Sequence, residues 1–209
     1  PERDEIMLVG KGRTGAYKLV ISASGSNARM HLATESKENP ASPPMFCMLM
    51  RKHLSGAKLI GIEQFGLERM LHLSFSTYNE FGDPVIIKLA VEIMGRHSNI
   101  MLIGPDGKII DAIKRVTADM SSVRQVMPGM TYVFPPAQNK MNTLDVDCME
   151  LVSRLKIGRD IPLSKALMEN LDGVSPIVCR EISDIVTGGF DTKAHDLSDG
   201  ECEKLEACL

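Results

Sequence analysis

The sequence predicts an α+β fold, in which a β-rich amino-terminal domain with one helix precedes a small all-α domain. Short runs rich in apolar or β-branched residues, several of them alternating in polarity, recur over the first 114 residues and are separated by turn residues such as Gly, Pro, Asn and Asp. Residues 43–54 instead show the leading prolines and terminal cations of a helix. After Pro135 and Pro136, apolar residues recur at helical spacing.

In the first domain, turn residues separate eight predicted strands. These are residues 6–9, 17–23, 29–33, 58–64, 70–75, 84–92, 99–103 and 109–114. Asp106-Gly107 predicts a tight hairpin between the last two, because both residues tolerate positive φ angles. Between the third and fourth strands, the helix at 43–54 has an apolar stripe of Met45, Met48 and Leu49, which we expect in the core.

In the second domain, four helices are predicted, at residues 144–155, 163–171, 176–186 and 198–209. Ser175 as N-cap and Pro176 at the first helical position make residues 171–176 similar to a helix-hairpin-helix element. Amides of Gly173, Val174 and Ser175 could then approach a nucleic-acid phosphate. The alternative is an ordinary corner between two helices.

The domains are predicted to span residues 1–138 and 139–209, with a linker near 134–143. A first residue other than Met and a last helix without a C-cap lead us to expect a piece of a longer protein, missing the first residues of one domain and the end of the other.

Composition excludes several classes of protein. The chain has 209 residues, of which 44% are hydrophobic, so it can form a packed core. Its apolar runs are far shorter than the ~20 residues of a spanning helix, so no membrane partner is expected. Residues 1–136 carry 16 Lys and Arg against 13 Asp and Glu, and residues 137–209 carry 8 against 14. The weakly basic first part permits a nucleic-acid surface without demonstrating one.

No enzyme motif is present. The sequence lacks a nucleophile elbow, a phosphate-binding loop and a dinucleotide fingerprint, and its five cysteines lack metal-ligand spacing. Pro1-Glu2 resembles the start of formamidopyrimidine-type DNA glycosylases, whose proline amine is the nucleophile, but a predicted strand follows and the zinc finger is missing. We therefore expect no catalytic residue, metal or cofactor.

Cations near glycines or at the helix end are the candidate binding residues. They are Arg51, Lys52, Glu68, Arg69, Arg96 and His97, with Glu68 included as a carboxylate partner. We expect a guanidinium here to be held by Glu68, or by Glu63 or Glu92 on nearby strands, and aimed at an anion.

Two long motifs carry a family resemblance. Residues 39–54, NPASPPMFCMLMRKHL, and residues 91–100, VEIMGRHSNI, resemble the amino-terminal domain of the NFACT family. Its bacterial members are known as RqcH or, in older naming, as fibronectin-binding proteins. Residues 135–138 and 173–176 extend the resemblance over essentially the whole chain.

The resemblance implies a cytoplasmic, ribosome-associated quality-control factor. Such factors bind the large ribosomal subunit that carries a stalled peptidyl-tRNA, recruit tRNA, and support template-free addition of a C-terminal alanine tail. The family's first domain is similar in fold to the glycosylase amino-terminal domain without its catalysis. A full-length member would begin earlier and continue into a coiled coil and a further domain.

The family's functional Asp-Arg pair aligns with Glu68-Arg69, where Glu68 has one extra methylene. The resemblance implies that Arg69 contacts tRNA and that Glu68 orients it, and we expect the other cations to widen a single cationic face. A fibronectin-binding surface adhesin is the alternative. The sequence shows no export signal, disulfide framework or strand-adding repeat for that role.

Overall fold

The computed structural model describes residues 4–35, 39–189 and 192–209. It has an α+β fold, which confirms the predicted class. Contacts divide the chain into two compact units, Pro1–Pro135 and Pro136–Leu209. Among the described residues, no helix has both the length and the apolar character needed to span a bilayer.

Two antiparallel sheets form the first unit. The three-stranded sheet consists of β1 (Glu5–Gly12), β2 (Gly15–Ser22) and β3 (Arg29–Ala33), in that order. The five-stranded sheet consists of β4 (Lys58–Gln64), β5 (Met70–Tyr78), β6 (Pro84–Glu92), β7 (Asn99–Ile103) and β8 (Ile109–Ala112), again in chain order. All eight predicted strands are present. The Asp106-Gly107 hairpin is confirmed, with Gly107 at a φ of 76°.

Helix α1 (Met45–Leu54) lies in sequence between the two sheets, as predicted. It begins directly after Pro44 and ends near Gly56, whose φ is 76°. Its buried residues are Phe46 and Met50. The predicted core stripe is therefore wrong, since Met45 is 67% exposed and Met48 is 48% exposed. The helix is rotated so that the aromatic side chain, which has more apolar surface to bury, faces the sheets.

The main core lies between α1 and the two sheets. Leu73, Leu89 and Leu102 are directly paired across β5, β6 and β7, and each is almost fully buried. Because alternate side chains of a strand project to opposite faces, all three point toward the same layer. Phe46 of α1 and Ile21 of β2 belong to the same buried cluster.

The segment after β8 covers the other face of the five-stranded sheet. Val116 and Val126 bridge within this segment, and Val126 packs against the buried side chains of Ala90 and Met101. Arg124 reaches Glu92 of β6 with two hydrogen bonds, Nη1 to Oε2 at 2.7 Å and Nη2 to Oε1 at 2.8 Å. This bidentate ion pair joins the segment to the strand that it crosses.

The second unit contains four helices. They are α2 (Cys148–Ile157), α3 (Leu163–Asn170), α4 (Pro176–Thr187) and α5 (Asp199–Cys208). Leu151, Leu167 and Val186 are fully or almost fully buried in their common core.

Two short strands also belong to this unit, so the expectation of a purely helical domain is corrected. β9 (Met141–Asn142) pairs in parallel with β10 (Leu171–Asp172). The Thr143 hydroxyl donates to the Asp172 carbonyl beside them. These contacts give backbone groups between the helices a hydrogen-bond partner, which buried polar groups require.

We expect Glu92→Ala to lower the free energy of unfolding by about 3–5 kcal/mol, because it leaves the Arg124 guanidinium buried without its carboxylate. Glu92 is 2% exposed, so solvent cannot replace the lost partner. Urea unfolding followed by circular dichroism measures the change.

The matched control is Glu80→Ala, which breaks an ion pair with Lys52 at the surface. Its effect should be too small to resolve, since water screens exposed pairs. Equal losses in the two variants would contradict a structural role for the buried pair.

Candidate nucleic-acid interface

Strand register brings two of the predicted segments to one end of the five-stranded sheet. Met70 pairs with Glu92, and Glu92 pairs with Asn99, so the β4–β5 turn and the β6–β7 connection emerge side by side. The Ile93 amide donates to the Arg69 carbonyl at 2.8 Å, which ties the two segments together. We call Glu68, Arg69, Arg96 and His97 the sheet-end surface.

The β4–β5 turn presents Arg69 to solvent. Gly66 has a φ of 54°, a left-handed conformation that glycine adopts without steric cost. The Glu68 amide donates to the Phe65 carbonyl at 3.0 Å, and the Gln64 side chain donates to the Glu68 carbonyl at 3.2 Å. Two hydrogen bonds therefore hold the backbone of the turn, while Arg69 has no ion-pair partner within the described ranges.

The expected carboxylate partners of Arg69 are corrected by the structure. Glu68 makes no ion pair with Arg69 among the described residues, because neighbouring side chains project in different directions as the chain enters a strand. Glu92 is already occupied by Arg124. Arg124 was not predicted from the sequence, because it lies 32 residues after Glu92 and has no motif around it.

The β6–β7 connection is braced by buried polar residues that the sequence analysis did not single out. Ser98 is buried and its hydroxyl accepts from the Met94 amide at 2.8 Å, while its own amide donates to the Gly95 carbonyl at 3.0 Å. Asn99 donates to the Lys114 carbonyl at 2.8 Å. The sequence did contain a signal for these residues: a Ser-Asn pair stands at the start of an apolar strand. Polar side chains in such a position are buried only when they have hydrogen-bond partners.

This bracing leaves Arg96 and His97 exposed in a short 3₁₀ turn, Gly95–His97. Arg96 Nε donates to His97 Nε2 at 2.9 Å, so that imidazole nitrogen acts as an acceptor. The terminal guanidinium nitrogens of Arg96 make no hydrogen bond within the described part of the chain. They remain available to an anion.

The structure places Lys52 away from the sheet-end surface. Lys52 Nζ lies 3.0 Å from Glu80 Oε1, in the turn that follows β5. Arg69 precedes β5, and nine residues of extended strand separate the two ends by about 26 Å. Arg51 lies in the same last turn of α1 as Lys52. The single cationic face expected from the sequence is therefore divided between opposite ends of the sheet.

The hairpin of the second unit has the local geometry predicted for it. Ser175 is the N-cap of α4, its hydroxyl accepting from the Val178 amide at 3.3 Å, and Pro176 occupies the first turn. Gly173 has a φ of 77°. However, its amide donates to the Asp172 carboxylate at 2.9 Å, so a phosphate would meet a negative charge there. The geometry therefore does not support the phosphate-binding site that the sequence predicts at Gly173, Val174 and Ser175.

An aromatic cluster lies beside the sheet-end surface, on the face of the five-stranded sheet that the segment after β8 covers. It consists of Phe65, His72, Tyr132 and Phe134, whose neighbouring ring centroids are 4.7–5.6 Å apart. The Tyr132 hydroxyl donates to Glu92 at 3.0 Å and lies 3.3 Å from His72 Nε2. The cluster therefore connects the β4–β5 turn to the buried Glu92–Arg124 ion pair.

Burial shifts the ionisation of two members of this cluster. It raises the pKa of Tyr132, and the adjacent Glu92 carboxylate adds to the rise, so the hydroxyl remains a donor. Burial, followed by the nearby Lys88 charge, lowers the pKa of His72 despite opposing effects of Glu63 and Glu92. His72 is therefore neutral at pH 7.

The sheet-end surface is suited to binding an anion. Two guanidinium groups point to solvent from braced loops, and Arg guanidinium matches phosphate geometry through paired donors. Within the described ranges, no group of three His, Cys, Asp or Glu side chains is arranged to hold a metal.

Comparison with known proteins identifies the family. The model of the family "NFACT N-terminal and middle domains" matches residues 1–209. The Rqc2 homolog RqcH of Bacillus subtilis is 38% identical over 182 residues, which are 87% of this chain and 32% of that protein. The archaeal Rqc2 homolog aRqcH of Methanocaldococcus jannaschii is 30% identical, over 97% of this chain and 29% of its own length. The chain thus spans about a third of the length of these relatives.

Solved structures show the same fold. The N-terminal part of the fibronectin/fibrinogen-binding protein from Streptococcus suis has a TM-score of 0.75 at 31% identity, over 98% of this chain and 72% of that one. The N-terminal domain of the fibronectin-binding protein PavA from Streptococcus pneumoniae has a TM-score of 0.75 at 32% identity, over 89% and 69% of the two chains.

We expect His72 to make stability sensitive to acid. Because its pKa is lower in the folded state than the ordinary value of about 6.5, its contribution is complete above that pH and is lost as the pH falls through the folded-state pKa. His72→Gln should therefore lose less stability than the parent chain between pH 7.5 and pH 5.5, as measured by urea unfolding.

The exposed His31 provides the control, and His31→Gln should follow the parent chain. If His72→Gln shows the same pH dependence as the parent chain, protonation of the cluster does not contribute to acid sensitivity.

Proposed function

The chain belongs to the NFACT family, and on that basis we propose that it is the RNA-binding amino-terminal part of a ribosome-associated quality-control factor whose sheet-end surface contacts tRNA. The observation that carries this proposal is a pair of exposed guanidinium groups at one end of the five-stranded sheet, those of Arg69 and Arg96, neither of which has an ion-pair partner among the described residues. Both lie on loops that hydrogen bonds hold in place, so little ordering is needed when an anion binds.

The chemistry of the two arginines fits a nucleic-acid backbone. A guanidinium can donate two parallel hydrogen bonds to one phosphate, and such charge-assisted contacts are stronger than neutral ones. Arg96 Nε also donates a hydrogen bond to His97 Nε2, which fixes the direction of the side chain. Contacts to phosphate position an RNA without reading its sequence.

In the complete factor, we infer the role that the resemblance implies. The factor would act in the cytoplasm, bind the large ribosomal subunit with its stalled peptidyl-tRNA, and recruit tRNA for template-free addition of alanine. The contribution of this chain is binding and orientation, without a covalent step of its own. The similarity to a glycosylase domain would then concern the fold of the sheets alone.

Glu68 has a different role in this proposal from the one expected from sequence. Its carboxylate does not hold Arg69 within the described structure, whereas its backbone closes the turn through Phe65 and Gln64. Glu68 therefore limits the net positive charge of the surface, and Arg69 supplies the contact.

Fibronectin binding is the second candidate function. The observation that favours it is the similarity in fold to solved domains whose names describe fibronectin binding. An immobilised-fibronectin assay with this chain distinguishes it from tRNA binding. Saturable binding to fibronectin together with no salt-sensitive tRNA binding would favour the adhesin.

We expect the double variant Arg69→Ala, Arg96→Ala to bind tRNA at least about tenfold more weakly at 0.1 M salt, since each lost charge-assisted hydrogen bond contributes about 1.5–3 kcal/mol. The dependence of log K on log salt should become shallower by about 1.8, or about 0.9 for each lost phosphate contact on duplex tRNA. Fluorescence anisotropy with labelled tRNA at several salt concentrations measures both quantities.

The control is Arg13→Ala, which removes the same charge from an exposed hairpin of the three-stranded sheet. It should leave the affinity within about twofold, because nonspecific attraction depends weakly on one distant charge. Retention of full affinity in the double variant would exclude the sheet-end surface as the contact.

A further inference from the structure

A cleft lies at the end of the five-stranded sheet opposite the sheet-end surface. It is formed between the last turn of α1 and the turn between β5 and β6, and its volume is about 330 Å³. Its lining includes Lys52, His53, Tyr78, Phe81, Ile87 and Ile110. The ion pair between Lys52 and Glu80 connects the two walls at 3.0 Å.

The turn that bears Phe81 is rigid. The Asn79 side chain accepts hydrogen bonds from the amides of Phe81, at 2.9 Å, and Asp83, at 2.8 Å, and donates to the Asp83 carboxylate at 3.0 Å. Gly82 adopts a φ of 86° at the tip. This network fixes the backbone at Phe81, which is 90% exposed and lies near Tyr78, which is 74% exposed.

The cleft combines an apolar floor with a charged rim. Ile87 is buried and Ile110 is partly buried, so the floor is apolar. The rim carries the Lys52 ammonium of α1, which lies 3.0 Å from Glu80 Oε1. Aromatic rings beside cations are the combination that binds single-stranded nucleic acid, because any base can stack on a ring while its phosphate meets a positive charge.

His53 adds polar groups suited to a base edge. Burial, followed by the neighbouring Lys52 charge, lowers its pKa, although Glu80 opposes this effect. The neutral imidazole offers one donor and one acceptor. A polar edge next to a flat apolar floor matches a nucleobase better than it matches an aliphatic side chain.

We propose that this cleft binds one unpaired nucleobase of single-stranded RNA, stacked on Phe81 or Tyr78, with its backbone phosphate beside Lys52. The inference rests on the proposed RNA-binding function, but it concerns a second contact about 26 Å from Arg69, the length of β5. An RNA that spans this distance would touch the unit at both ends of the sheet.

The test uses a fluorescein-labelled six-nucleotide oligoadenylate and fluorescence anisotropy. The parent chain should bind it, and Phe81→Ala should weaken binding at least about fivefold, since the stacking of one base on an aromatic ring is lost. Phe81→Ile should weaken it similarly, because it keeps apolar bulk without a flat ring, and Phe81→Trp should retain binding. Leu32→Ala, at an exposed apolar position on β3, should have no effect.

A direct readout accompanies the affinities. An oligonucleotide containing 5-iodouridine should cross-link on irradiation to Phe81 or Tyr78, as identified by mass spectrometry. Cross-links found only elsewhere would overturn the proposal. So would absence of oligoadenylate binding, or equal binding by the parent chain, Phe81→Ala and Phe81→Ile. Binding that Phe81→Ile retains but Phe81→Ala loses would overturn it too, since that pattern indicates a site for an apolar peptide side chain.

The double variant Arg69→Ala, Arg96→Ala separates this proposal from the previous one. It should still bind the oligoadenylate, because both arginines lie at the other end of the sheet. If tRNA binding does not depend on Arg69 and Arg96 while oligoadenylate binding depends on Phe81, the proposal for the cleft is supported and that for the sheet-end surface is excluded. If tRNA binding depends on the two arginines while oligoadenylate binding does not depend on Phe81, only the proposal for the cleft is excluded.

Discussion

The register of the five-stranded sheet determines where Arg69 and Arg96 lie relative to each other. Each residue of β5 faces a fixed partner on β6, so the turn before β5 and the connection after β6 must emerge together. This constraint places Arg69 beside the backbone of Ile93, close to the 3₁₀ turn that carries Arg96. If the pairing of β5 with β6 shifted by one residue, every side chain of β5 would move to the opposite face of the sheet and Leu73 would leave the core. Burial on both faces opposes such a shift.

Charge is distributed according to exposure. Where a guanidinium is buried, as in Arg124, a carboxylate and a tyrosine hydroxyl surround it, because an unpaired buried charge is costly. Where loops leave the sheet, the cations face water and need no internal partner. The buried Glu92–Arg124 pair supports the exposed Arg69 indirectly, since Glu92 is the last residue of the strand that leads to Ile93.

The two ends of the sheet differ in the chemistry that they offer. One end carries guanidinium groups on braced loops and suits a phosphate backbone. The other carries exposed rings over an apolar floor with a cation at the rim, which suits an unstacked base. Under the proposed function, these two features would hold a structured RNA at two points. The weak net charge of residues 1–136 is consistent with contacts that depend on geometry more than on overall potential.

Local patterns in the sequence determined the helices and the eight strands of the two antiparallel sheets, although not the short strands β9 and β10. The strands Arg29–Ala33, Lys58–Gln64 and Asn99–Ile103 follow from runs of apolar and β-branched residues between turn signals, and Ser175 and Pro176 mark the start of α4, because these preferences act within a few residues. The tertiary structure decided which distant residues meet. It paired Glu92 with Arg124, turned Phe46 inward in place of Met45, and separated Lys52 from Arg69 by the length of a strand. Such outcomes depend on register and packing between segments, which no single stretch of sequence encodes.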